Sequence, residues 1–140
     1  MSAKLPKKCR VLLDTSVLLM LYDGIDVIEE IEDSLNVKCE FYTPTAVVNE
    51  LLKLKDQRSG WRSRAAAIAL QYIEGRVEVV EHPPGRKCST ADEAIVDIAR
   101  VRGDEFIYAT VDRELKQKLR ELKVPVLTWW LGRRRFVIVA

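Results

Sequence analysis

The stretch FIYATVDRELKQKLRELKVPVLTW, residues 106–129, reads as an apolar strand from Phe106 to Thr110, a helix from Asp112 to Leu122, and a second strand from Val124 to Trp129. Two strands joined through a helix run parallel, because the crossover must return the chain to the same edge of the sheet. The rest of the chain keeps this alternation. Arg10 to Leu13 is a short apolar run, and Thr15 or Ser16 can cap the helical stretch that continues to about Leu21. Gly24 breaks it, and Ile25, Ile28, Ile31 and Leu35 recur at helical spacing before a strand from Glu40 to Thr43. Pro44 stands at a helix start, and that helix runs from about Thr45 to Asp56. A further helix from Trp61 to Ile73 stops at Gly75, and Val77 to Glu81 makes a strand. His82-Pro83-Pro84-Gly85 reads as an exposed turn, Thr90 and Glu93 as a capping box for a helix through about Arg102, and Phe136 to Val139 as a candidate edge strand. The pattern predicts an α/β fold with a mostly parallel sheet.

Composition narrows the function classes. A chain of 140 residues can bury one sizeable core. Its longest apolar run, Val17 to Tyr22, is far too short to span a bilayer, and MSAKLPKKCR lacks the apolar segment of a signal peptide, so a cytoplasmic protein without membrane contact is expected. Cys9, Cys39 and Cys88 are odd in number, widely spaced and accompanied only by His82, which predicts buried or free thiols rather than a zinc site. No G-x-x-x-x-G-K-[ST] or G-x-G-x-x-G run is present, nor any serine-nucleophile context, and His82 is assigned no catalytic role. Net charge is only +2, but the cations cluster: Lys4, Lys7, Lys8 and Arg10; Arg58, Arg62 and Arg64; Arg113, Lys116, Lys118, Arg120 and Lys123; and Arg133 to Arg135. Such clusters are either solvated faces or, near an acidic pocket, phosphate contacts.

The acids are the candidates for chemistry. Asp14 closes VLLD and Asp112 closes FIYATVD, so both leave the carboxyl ends of strands, where ligands bind in parallel sheets. Each could equally cap the helix that follows. Glu50, in TAVVNELL, falls at the rim of the apolar face made by Val47, Leu51 and Leu54, pointing into a cleft or into water. Asp92 lies inside the apolar arc of its helix, between Ala99 and Val96, while Glu93, Asp97 and Arg100 fall on the polar arc. An inward carboxylate is costly unless compensated, by capping at the first turn or by a cation. Hydroxyls accompany two of the acids: Thr15 and Ser16 follow Asp14, and Thr110 precedes Asp112. Trp129 and Trp130 are expected to pack the last strand or an oligomer contact rather than to stack on bases.

LLDTSVLL, TPTAVVNELL, TADEAIVDIA and YATVDRELKQKLRELKVPVL, in this order and spacing, resemble the PIN-domain ribonuclease family over about residues 10 to 130. The last segment is similar to the ribosome-biogenesis, Fcf1-like branch, whereas Ser16 is a variant of the toxin-like, VapC branch. The resemblance implies a three-layer α/β/α sandwich, with a short basic arm over residues 1–9 and a single domain over residues 10–140. It further implies a catalytic set of Asp14, Glu50, Asp92 and Asp112, with Mg²⁺ or Mn²⁺ held by Asp14, Asp92 and Asp112 and supported by Thr15, Ser16 and Thr110. Hydrolysis of RNA to 5′-phosphate and 3′-hydroxyl products is the implied activity, with Lys53, Arg58, Arg62, Arg113 and Lys116 as RNA contacts. Ribosomal RNA processing, a toxin covered by an antitoxin, and a non-cleaving RNA- or protein-binding module are the roles to separate. A homodimer or a ribosome-assembly partner is also expected from the resemblance.

Overall fold

The computed structural model describes residues 5–57, 60–85 and 90–139. The elements follow in chain order as β1 (Arg10–Leu13), α1 (Thr15–Leu18), a 3₁₀ turn (Leu19–Asp23), α2 (Val27–Leu35), β2 (Glu40–Pro44), α3 (Thr45–Lys55), α4 (Trp61–Ile73), β3 (Glu78–Val80), α5 (Ala91–Arg102), β4 (Ile107–Ala109), α6 (Arg113–Glu121), β5 (Val126–Trp130) and β6 (Arg135–Val139). The strands form one sheet in the order β3-β2-β1-β4-β5-β6, parallel except for the β5–β6 hairpin. From β1 the chain steps through β2 to β3 in one direction, then returns through β4 and β5 in the other. Right-handed crossovers therefore set α1–α4 on one face and α5–α6 on the opposite face, giving the three-layer α/β/α sandwich.

Central strands covered on both faces must be apolar throughout. Val11, Leu12 and Leu13 of β1 and Ile107, Tyr108 and Ala109 of β4 are all buried. Each buried aliphatic side chain of this size contributes roughly 1.5–3 kcal/mol of transfer free energy. Trp129 packs edge-on against Phe136 of the neighbouring strand at 5.0 Å between ring centres, as a strand-packing role requires, whereas Trp130 is exposed. Among the described residues no helix is long and apolar enough to cross a membrane.

Two local expectations are corrected. The first helix is a single α-turn that tightens into 3₁₀ geometry before Gly24 ends it at φ 80°. Pro44 is the last residue of β2 and, with an extended ψ of 151°, the cap of α3, which begins at Thr45 as expected. The thiol reading fails for two of the three cysteines: Cys9 and Cys39 form a disulfide. Pairing of Arg10 with Glu40 in the β1–β2 ladder sets the two preceding cysteines side by side, although they are 30 residues apart in the chain. Spacing rules for close cysteines cannot see a contact made by strand pairing. Cys88 lies outside the described residues, as do Lys4 and Arg58.

Candidate active site

Leu13 pairs with Ala109, so the next residues, Asp14 and Thr110, leave the carboxyl edge of the sheet side by side. Asp14 is 3% exposed. Its Oδ2 accepts hydrogen bonds from Ser16 Oγ at 2.7 Å and from Thr110 Oγ1 at 2.8 Å. Each hydroxyl in turn accepts a backbone amide: Val111 N–H donates to Ser16 Oγ at 3.1 Å, and Asp112 N–H to Thr110 Oγ1 at 3.0 Å. A hydroxyl has one proton, and with the amides directed at the oxygens both protons are free to point at Asp14 Oδ2. That oxygen is then held as an acceptor, the state a cation ligand needs. Burial pushes the Asp14 carboxyl above its ordinary range, and the Ser16 and Thr110 hydroxyls pull it part of the way back. The Asp14 side chain falls short of cap-bond geometry to α1, although the Thr15 and Ser16 amides also favour its charged form.

The other acids converge on it. Glu50 is half-buried on α3, and its carboxyl is raised first by burial and then by the negative charges of Asp14 and Asp92. Thr15 Oγ1 stands near enough to favour the charged form of Glu50 but falls short of hydrogen-bond geometry. It is a buried hydroxyl without a partner among the described residues. Asp92 is raised by burial, then by Asp14 and Asp112. Thr90 Oγ1 caps α5 by accepting Glu93 N–H at 3.1 Å, so that bond is not made by Asp92. Asp112 combines both sequence readings: Oδ1 accepts Leu115 N–H at 2.9 Å to cap α6, while its charge acts on Asp92.

Several residues differ from expectation. Asp97, placed by the helical wheel on the polar arc, is only 13% exposed, with Oδ2 at 2.9 Å from His82 Nε2 and Oδ1 at 3.6 Å from Arg100. His82 is correspondingly 19% exposed rather than in an open turn, because this contact anchors the loop after β3 onto α5. A wheel gives the angle of a side chain but not what a distant loop sets against it. Of the candidate RNA contacts, Lys53 acts on Glu50, and Arg113 is exposed beside Asp112 at the start of α6. Arg62 lies over the Trp61 ring at 5.4 Å, and Lys116 is half-buried on α6. Lys118 is the cation that favours the charged form of Asp92, and Glu114 opposes it. In the sequence Lys118 is only one of a cluster of cations and Glu114 carries no signal of its own, although spacing of four on one helix places the two on the same face.

The arrangement is a compact set of hard oxygen donors in which charge repulsion and burial both favour an added cation. Among the described residues no three His, Cys, Asp or Glu side chains stand close enough together to hold a metal ion as they are placed. The unpartnered Thr15 hydroxyl and the absence of sulfur from the acid cluster suit an oxygen-seeking ion. Surface depressions are present elsewhere, for example between Lys7, Arg10 and Glu105 at the opposite edge of the sheet. Chemistry, not concavity, marks this site.

Comparison with known proteins agrees with the fold. The chain is 32% identical over 121 residues to Ribonuclease VapC4 of Methanocaldococcus jannaschii, covering 84% of this chain and 88% of that protein. Its structure is similar to that of the PIN domain endonuclease Utp24, with a TM-score of 0.74 and 25% identity over 92% of this chain and 90% of the other. A PilT N-terminus domain protein from the archaeon Sulfolobus solfataricus P2 shares the fold at a TM-score of 0.51 and 20% identity, over 85% and 86% of the two chains. Residues 11–132 match the family described as PIN like domain, and the chain belongs to that family.

Proposed function

We propose that this protein is a metal-dependent endoribonuclease that hydrolyses RNA phosphodiester bonds at the Asp14 cluster. The observation that carries the reading is the raising of Glu50 by Asp14 and Asp92, and of Asp92 by Asp14 and Asp112, on top of burial, around the hydroxyl-wired Asp14. Asp14, Asp92 and Asp112 are the residues that would hold Mg²⁺ or Mn²⁺, with Glu50 and the Thr15 hydroxyl beside them. Such an ion, when bound, lowers the pKa of a water and neutralises charge on a phosphate. The chain's own contribution is positional. Ser16 and Thr110 keep one Asp14 oxygen an acceptor, Asp112 is fixed by its bond to the Leu115 amide, and Lys53, Arg113 and Lys118 balance the field for a polyanion. The similarity to proteins named ribonuclease and endonuclease supports the reaction class.

The test is cleavage of a panel of structured RNAs with Mg²⁺ or Mn²⁺, with EDTA, and with Asp14→Asn and Asp112→Asn. Metal-dependent cleavage lost in both variants is expected; equal cleavage by all three proteins would remove the assignment. Ribosomal RNA processing is the leading role, from the likeness of the final segment to the ribosome-biogenesis branch. Ser16 and the relative named VapC4 favour a toxin as the second reading. Inhibition by the co-expressed product of an adjacent small gene separates the two.

A further inference from the structure

Trp130 ends β5 at the same sheet edge as the acids. In parallel strands, paired residues share a face, and along each strand the faces alternate. Leu13 pairs with Ala109 and Ala109 with Leu127, so Asp14, Thr110 and Thr128 form the next row and leave the sheet on one common face. β5 continues without interruption, Trp129 opposite Phe136 and Trp130 opposite Arg135. Trp130 is two residues beyond Thr128 and therefore emerges on the Asp14 face. Two strand spacings across and two residues along put its Cα about 12 Å from that of Asp14.

The surroundings of this ring are unusual for a packing residue. Trp130 is 48% exposed, and Leu131 beyond it is 73% exposed. The Arg133 guanidinium lies over the indole at 5.0 Å, which fixes the ring plane from one side. Arg134 is exposed and sits at φ 48°, a left-handed conformation that a non-glycine residue adopts at a cost. Arg135 is held to the carbonyl of Ser34 at 3.1 Å, which ties the hairpin back onto α2. After Glu121 the sequence contains no acidic residue, only Lys123 and the three arginines. An exposed aromatic plane held by a cation, in an acid-free segment, on the face where the acids gather, matches an unpaired nucleobase and its phosphate.

We propose that Trp130, fixed by Arg133, is a stacking subsite for one unpaired base of the RNA lying across the acid cluster, with Arg134 on the adjoining phosphate. The subsite rests on the ribonuclease reading and makes the preferred substrate a single-stranded segment flanking the scissile bond. It is a binding and positioning element, not a catalytic one.

The experiment measures binding of short single-stranded RNAs to full-length protein in EDTA, where cleavage does not interfere, for wild type, Trp130→Ala, Trp130→Phe and Arg133→Ala. An abasic position is scanned along the oligonucleotide. Trp130→Ala should weaken binding roughly 5- to 150-fold, the range for one stacked base, and Trp130→Phe should retain most of it. One abasic position should cost the wild type the same factor and cost Trp130→Ala nothing further. A blunt duplex should show no dependence on Trp130. Unchanged affinity in Trp130→Ala with metal-dependent cleavage intact would overturn the subsite and leave the ribonuclease reading standing. Loss of self-association in gel filtration without loss of RNA affinity would assign the hairpin to a contact between copies and overturn it likewise. If wild type neither binds nor cleaves any RNA, the ribonuclease reading fails and the subsite with it.

Discussion

Thr110 Oγ1 donates to Asp14 Oδ2 at 2.8 Å across 96 residues of chain. The same hydroxyl receives the amide of Asp112, so one threonine links two acids on adjacent strands. Thr110→Val keeps the volume but removes both bonds and leaves two buried polar groups short of a partner. Metal affinity or activity is expected to fall about 10- to 100-fold, the usual cost of losing an outer-shell hydrogen bond, while Thr110→Ser retains most of it. Metal titration and cleavage kinetics of the two variants check this.

Asp14, Glu50 and Asp92 are all raised above their ordinary carboxyl range, mainly by burial, with like charge added at the latter two. A carboxyl raised in the folded state binds its proton more tightly there than in the unfolded chain. Metal-free stability should therefore fall as pH climbs from the ordinary carboxylate range through the raised values. Mg²⁺ or Mn²⁺ at neutral pH should reverse the loss by replacing the protons. Thermal unfolding from pH 4 to 8 with EDTA, then with Mn²⁺, measures both arms; a flat metal-free profile would contradict the expectation.

Asp92 and Asp97 share a helix yet serve different ends. Asp92→Asn should abolish most metal binding and raise the metal-free melting temperature at neutral pH by a few degrees, since it relieves repulsion. Asp97→Asn should lower the melting temperature by weakening the His82 anchor and leave metal affinity nearly unchanged. Calorimetric titration with Mn²⁺ beside thermal unfolding separates them, and a larger affinity loss at Asp97 would reverse the assignment.

The Cys9–Cys39 bond closes a loop of 30 residues across two paired strands. By restricting the unfolded chain, a loop of this size stabilises by about 2–4 kcal/mol. Cys9→Ser, or wild type under reductant, should melt lower, with cleavage preserved, because the disulfide lies at the sheet edge opposite the acids. Unfolding with and without reductant, paired with alkylation and mass measurement, provides the check.

Much of the fold is legible in local pattern. The alternation around Asp112, the Thr90–Glu93 cap and the Gly24 and Gly75 stops need only short-range chemistry, and α4 falls on its expected bounds. The inward position of Asp92 is also readable, since helix geometry fixes its angle. What stands opposite a side chain is not. The Ser16–Asp14–Thr110 wiring, the Cys9–Cys39 bond and the alignment of Trp130 with the Asp14 face depend on which strand pairs with which and in what register. The anchoring of His82 on Asp97 and the action of the Lys118 charge on Asp92 depend on how a loop and two helices settle over that sheet.

The sequence by itself determined the α/β alternation and the ordered acids, because backbone preference, side-chain period and capping act over a few residues. Only the tertiary structure decided which oxygens meet, which charges act on which carboxyl and which aromatic ring faces them. Those contacts join residues far apart in the chain, and their energies exist only once packing has brought the elements together.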